Sequence, residues 1–307
     1  MPEPAVPDWA AIREDYPGAV GASYFDTACM GLPSGAAERA VNDHVAMLRD
    51  PAGGATDVTI RMLEQFAAAR SAAAALVGAA PGQIALTPST EAGIATIASA
   101  LRLEAGTNVV ASDLEFVGTV LPWRFLERRG VELKLVPHRR GSIAVADLEA
   151  ATDHLTRAVV VSSVQEVNGF RIDLDELAQM CRGRGLFSVV DAIQHVGPLA
   201  LDVSATAVDA VVLGGHKWLC APFGMGFLYT SQPLLERLEP SAHAFMTALP
   251  PVGGWRDYLE SPDRRPDDPL EFPAGAEKLE RGALGTTLAA AGLAASIESL
   301  LRIGPEE

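Results

Sequence analysis

Lysine is scarce in this chain: of 307 residues only three are Lys, at 134, 217 and 278, and the other 21 of its 24 basic side chains are Arg. With so few, the position of each lysine carries information. Cysteine is scarce too. Cys29, Cys181 and Cys220 form no C-x-x-C spacing and cannot all pair, which argues against a disulfide framework or a structural zinc site and for a reducing compartment. Cytoplasm is the expected location. Positive charge is in deficit, with a formal net charge of −15. An acidic surface repels both nucleic-acid phosphates and an anionic bilayer, so neither is an expected partner. No apolar run approaches the ~20 residues that span a bilayer, and the N-terminal MPEPAVPDWAAIREDYPG is too acidic and proline-broken for a signal or transit peptide. Several catalytic signatures are missing as well: G-x-G-x-x-G after a strand, G-x-x-x-x-G-K-[ST], H-E-x-x-H and G-x-S-x-G. Their absence weakens nicotinamide, P-loop, zincin and serine-hydrolase chemistry.

What is present is a soluble-type composition, 49% hydrophobic and 21% charged, with ample length for a large core. Apolar residues recur at helical spacing over 36–48 and 59–76. Short apolar runs then follow: IALT (84–87), NVVAS (108–112), ELKLV (132–136), AVVVSS (158–163), LFSVVDA (186–192), DAVVLGG (209–215) and MGFLYTS (225–231). Continuous apolar strands with helices between them predict a mainly parallel sheet covered on both faces. The proline- and charge-rich stretch 244–276 reads as an excursion from the large domain, before a last helical segment.

In parallel sheets ligands collect beyond the carboxyl ends of the strands. Three such ends carry unusual chemistry: Ser89-Thr90 after IALT, Asp191 after LFSVV and Lys217 after DAVVL. A lysine that loses hydration beside apolar neighbours becomes available as a neutral nucleophile able to form a Schiff base. A buried aspartate is stabilised by a protonated ring nitrogen, and hydroxyls at a helix N-terminus make a phosphate cradle. Singly, the lysine reads as a solvated cation and the aspartate turn as a helix cap. Together, in this order, they match what pyridoxal 5′-phosphate requires.

VVDAIQHVGPLALDV (189–203), followed by DAVVLGGHKWLCAPFGMGFLYTS (209–231), resembles the signature of the class V aminotransferase family, with HKWLCAP closest in wording to its isopenicillin N epimerase-like branch. SYFDTACMGLPS (23–34), LTPSTEAG (86–93), SDLEFVGTVLPW (112–123) and SSVQEVNGFRIDL (162–174) are similar to further family segments. The resemblance implies fold type I: a mainly parallel seven-stranded α/β sheet with helices on both faces. It also implies an N-terminal arm (1–30), a large cofactor domain (31–243) and a C-terminal segment (244–307) short of the family's small domain.

The resemblance assigns roles as well. Lys217 would hold the cofactor as an internal aldimine and move the Cα proton. Asp191 would pair with the pyridine nitrogen, Gln194 would bond the phenolic oxygen, and Phe116 would stack on the ring. Ser89, Thr90 and His216 would bind the phosphate, and Gln165 would point inward near the cofactor oxygen, next to Glu166 at a position where desulfurases carry asparagine. A homodimer with the site at its interface, and an amino acid or amine substrate, are the implied partners. The reaction expected is aminotransferase-like, with epimerase or C–S lyase chemistry as the alternative and a cofactor-binding but impaired homologue or scaffold as another.

Some positions depart from the pattern. Gly214 stands where relatives carry a phosphate-binding hydroxyl, so one contact is expected to be lost. Thr286 and Thr287 are loose substitutes for a family threonine. Arg171, Arg256 and Arg281 are the candidates for a substrate carboxylate. No cysteine follows Cys220, which weighs against desulfurase chemistry, and Cys220 itself is expected to pack as a small apolar residue.

Overall fold

The structure is a computed structural model that describes residues 7–50, 54–280 and 286–304. Seven strands, β1 (Ile84–Thr87), β2 (Asn108–Ser112), β3 (Glu132–Val136), β4 (Thr156–Ser162), β5 (Phe187–Asp191), β6 (Ala210–Gly214) and β7 (Gly226–Thr230), form one sheet ordered β1-β7-β6-β5-β4-β2-β3. Strands β3, β2, β4, β5 and β6 are parallel, whereas β7 runs antiparallel between β6 and β1. The predicted seven-stranded, mainly parallel sheet is therefore the one observed.

Eleven α-helices are described: α1 (Trp9–Glu14), α2 (Gly35–Arg49), α3 (Gly54–Val77), α4 (Thr90–Ala100), α5 (Val117–Arg124), α6 (Val145–Ala151), α7 (Leu174–Arg184), α8 (Val203–Thr206), α9 (Gln232–Arg237), α10 (Gly254–Glu260) and α11 (Thr287–Ile303). Their ends are written in the sequence. Ser34, Ser89 and Asp173 accept backbone N–H groups of the first turns of α2, α4 and α7, and Gly185 closes α7 in the left-handed conformation.

The central strands are apolar on both sides because the sheet separates two cores. Val159, Val161, Val190 and Val211 face one, packed with α3 and α11; Ala158, Val160, Val189 and Val212 face the other, packed with α4. Each buried valine stabilises the fold by about 1.5–3 kcal/mol. At one point the packing requires glycine: a Cβ at Gly93 would collide with the Val212 side chain, so Gly93 lets the first turns of α4 lie directly on β6. The stretch 244–276 crosses α3 through α10, where Arg256 pairs with Asp57, and returns to β1. There the buried Glu280 accepts the Leu86 N–H at 2.9 Å and pairs with Arg70.

Candidate functional site

Beyond the carboxyl ends of the parallel strands lies a cavity of about 220 Å³ lined by Ser89, Thr90, Glu91, Phe116, Gly118, Ser162, Val164, Glu166, Asp191, Ile193, Gln194, His216 and Lys217. Seven sequence-predicted residues therefore meet in one place: Lys217, Asp191, Gln194, Phe116, Ser89, Thr90 and His216. They come from four connections, with Gln194 in the turn after Asp191. Asp191 ends β5, Ser89 and Thr90 open α4 after β1, Phe116 precedes α5, and His216-Lys217 follow β6.

Asp191 is deeply buried, and no ion pair among the described residues neutralises it. Burial pushes its carboxyl above the usual range, opposed by the Thr119 hydroxyl at 2.7 Å, the Ile193 N–H at 3.0 Å and the charge of Lys217. Such a group favours a cation placed in the cavity. At the head of α4 the Ser89 hydroxyl accepts the Ala92 N–H at 3.1 Å, while the buried Thr90 Oγ1 has no hydrogen-bond partner. An orphaned hydroxyl beside the positive end of an eleven-residue helix is suited to an anion. Gly214 is explained by the same corner: a Cβ there would stand 3.0 Å from His216 Nδ1 and 3.4 Å from Thr90 Oγ1. The position expected to supply a hydroxyl instead leaves room for His216, whose ring stacks on Phe223 at 4.4 Å. Burial lowers the pKa of His216, aided by the Lys217 charge, so its ring favours the neutral form.

Residues 28–31 lie against the lysine turn. Gly31 donates to the His216 carbonyl at 2.8 Å, and a Cβ at Gly31 would strike the Lys217 carbonyl. Gln194 Nε2 donates to the Ala28 carbonyl at 3.0 Å, and Trp218 Nε1 donates to Gln194 Oε1 at 2.6 Å.

Gln165 is the predicted residue that the fold keeps out of the cavity. Ser162, Val164 and Glu166 line the cavity, while Gln165 is buried and does not. It donates to Glu115 Oε1 at 2.7 Å, and Glu115 Oε2 accepts from the Ser162 N–H at 2.8 Å and the Ser162 hydroxyl at 2.5 Å. Burial pushes the Glu115 carboxyl up to about 7 despite these donors. Sequence reasoning missed Glu115, Ser162 and Thr119. Only the place of Glu115 beside Phe116 hinted at a role, since its partners lie 47 and 50 residues away.

The remaining candidates lie elsewhere. Arg171 lines a separate cavity beside His195, Arg256 is paired with Asp57 and Glu260, and Arg281 falls outside the described residues. Thr287 bonds His44 of α2 at 3.2 Å and does not line the cavity. Cys220 is half-buried and burial pushes its thiol up to about 11, so it is a thiol at neutral pH. No group of His, Cys, Asp and Glu among the described residues could hold a metal ion.

Residues 33–247 match the family model described as Aminotransferase class-V. A probable cysteine desulfurase of Methanothermobacter thermautotrophicus is 30% identical over 295 residues, covering 95% of this chain and 70% of the relative. Isopenicillin N epimerase of Streptomyces clavuligerus is 36% identical over 179 residues, 56% of this chain and 45% of that protein. Among solved structures, a variant of C-DES with glycine covalently linked to its PLP cofactor superimposes with a TM-score of 0.83 at 22% identity, covering 95% of this chain and 74% of that one. That likeness is one of fold.

Proposed function

The chain belongs to the class V aminotransferase family, with pyridoxal 5′-phosphate as its cofactor, and we propose that it is an enzyme transforming an amino acid or amine at the carbon bearing the amino group, with aminotransferase-like chemistry. One observation carries the reading: a lysine, an unneutralised buried aspartate and an orphaned hydroxyl at a helix N-terminus share one cavity.

Pyridoxal phosphate, when bound, supplies an electron sink for a carbanion at the substrate's Cα. Thr90 and the first N–H groups of α4 would hold its phosphate, with Ser89 and His216 beside them. Asp191 would keep the ring nitrogen protonated, Gln194 would donate to the phenolic oxygen, and Phe116, half-exposed at the rim, would cover one ring face. Lys217 would hold the cofactor covalently in the resting enzyme. Once a substrate amine displaces it, its free amine would take and return the Cα proton.

A second reading, cleavage of a carbon–sulfur bond, is favoured by the desulfurase relative. Both readings use the same residues up to proton removal.

We also infer a homodimer. Phe116, Val117, Leu121 and Phe125 are apolar and exposed along one edge of α5, beside the cavity mouth. A second copy would cover them and complete the rim.

Titration of the purified protein with pyridoxal phosphate, followed by a panel of amino acids, tests the proposal. A visible band is expected in the wild type and not in Lys217→Ala, with activity reduced by about a hundredfold or more. Keto acid, sulfide or inverted amino acid among the products identifies the reaction. A band that no amino acid perturbs would point instead to an impaired homologue or scaffold.

A further inference from the structure

Trp218, the residue after the cofactor lysine, has no place in the reading above, yet its indole N–H donates to Gln194 Oε1 at 2.6 Å while Gln194 Nε2 donates to the Ala28 carbonyl at 3.0 Å. An indole nitrogen only donates and a carbonyl oxygen only accepts, so these two contacts allow one orientation of the amide. The flipped amide would set N–H against N–H and oxygen against oxygen, and Gln194 is too buried for water to repair the mismatch. What the amide retains is its second N–H, on a residue that lines the cavity. Both partners are themselves held. Gly197, at φ +120°, lets the chain pass so near Trp218 that a Cβ would stand 2.9 Å from the Trp218 Cβ. Gly31 ties the segment carrying Ala28 to the His216 carbonyl.

We propose that Trp218 is a positioning residue: by fixing the Gln194 amide, it makes this wall of the cavity a hydrogen-bond donor to the cofactor's phenolic oxygen. The inference rests on the cofactor placement proposed above. A donor on that oxygen holds its negative charge and weakens its hold on the proton of the lysine-linked nitrogen. The nitrogen therefore gives up its proton at lower pH than it would without Trp218.

Trp218→Phe keeps an aromatic ring and removes the N–H. In the cofactor-loaded protein, the pH midpoint of the visible band should rise by about half a unit or more, with cofactor affinity changed by less than about threefold. A merely structural role would lower affinity and leave the midpoint alone. Gln194→Ala should raise the midpoint too, and the double variant should add nothing to it. An unchanged midpoint in Trp218→Phe, or a Trp218→Phe effect that persists in full on the Gln194→Ala background, would overturn the inference. If Trp218→Phe fails to fold, exchange of the Trp218 indole proton, followed by NMR in cofactor-free wild type and Gln194→Ala, decides instead: faster exchange in the variant supports the bond, equal exchange overturns it. A wild-type protein without the visible band, or a band that survives Lys217→Ala, would remove the cofactor reading and this inference with it.

Discussion

The two ends of the sheet use polar residues differently. At the amino ends of the parallel strands two carboxylates, Asp209 and Asp153, are enclosed by donors. Asp209, just before β6, accepts from the Ser188 N–H and hydroxyl at 2.9 and 3.0 Å and from the Ser231 hydroxyl at 2.9 Å. Asp153, before β4, accepts from Lys134, Asn108 and the Leu155 N–H at 2.6 to 2.9 Å. At the carboxyl ends two groups lining the cavity are left open, Asp191 unneutralised and Thr90 Oγ1 unpartnered. Closed networks hold strand ends in place; open ones have capacity left for a ligand.

The largest test of this contrast is Asp191→Asn. It removes the charge that the ring nitrogen would need, so turnover should fall by about a hundredfold. Cofactor-free protein should melt higher than the wild type, because a desolvated charge has been deleted. Calorimetry of both forms alongside turnover measures the two effects, and a lower melting temperature would mean that Asp191 is a structural carboxylate like Asp209.

The mirror experiment, Asp209→Asn, should do the reverse. Its amide places N–H groups among donors that had faced a carboxylate, costing about 1–3 kcal/mol of stability. Turnover at saturating cofactor should stay near that of the wild type. A kinetic defect without a drop in melting temperature would break the comparison.

The contrast was only half legible in the sequence. Strand ends, and with them Lys217, Asp191, Ser89 and Thr90, follow from apolar runs that stop at a polar residue. Such signals are local, and the seven strands lie where the runs predicted them. Gly214 was legible as a departure but not as to cause, since the need for room beside His216 arises only when β6 and α4 meet. Gln165 and Glu166 were a choice between neighbours, and of the two only Glu166 lines the cavity. Trp218 and Thr119 were invisible, and Glu115 was hinted at only by its neighbour Phe116, because each acts through a partner distant in the chain: 24 residues for Trp218 and Gln194, and 72 for Thr119 and Asp191.

The smallest expected effect separates the two ends by pH. Asp153 is held below the usual carboxylate range, chiefly by its bond to Lys134, so its contribution is present at neutral pH and is lost as pH falls through its folded-state value. Glu115 behaves oppositely. Burial raises it from 4.5 to about 7, so its contribution is complete in acid and is lost as pH rises toward 7. Cofactor-free protein should therefore lose on the order of 1–3 kcal/mol between mildly acidic and mildly alkaline pH through Glu115. In Glu115→Gln that slope should flatten, while the acid limb owed to Asp153 stays. Denaturant titrations across pH read both limbs at once. A slope that survives the substitution would assign the alkaline loss to the other carboxyls that burial raises, Asp191 and Glu280, and Asp191→Asn then measures the share of Asp191.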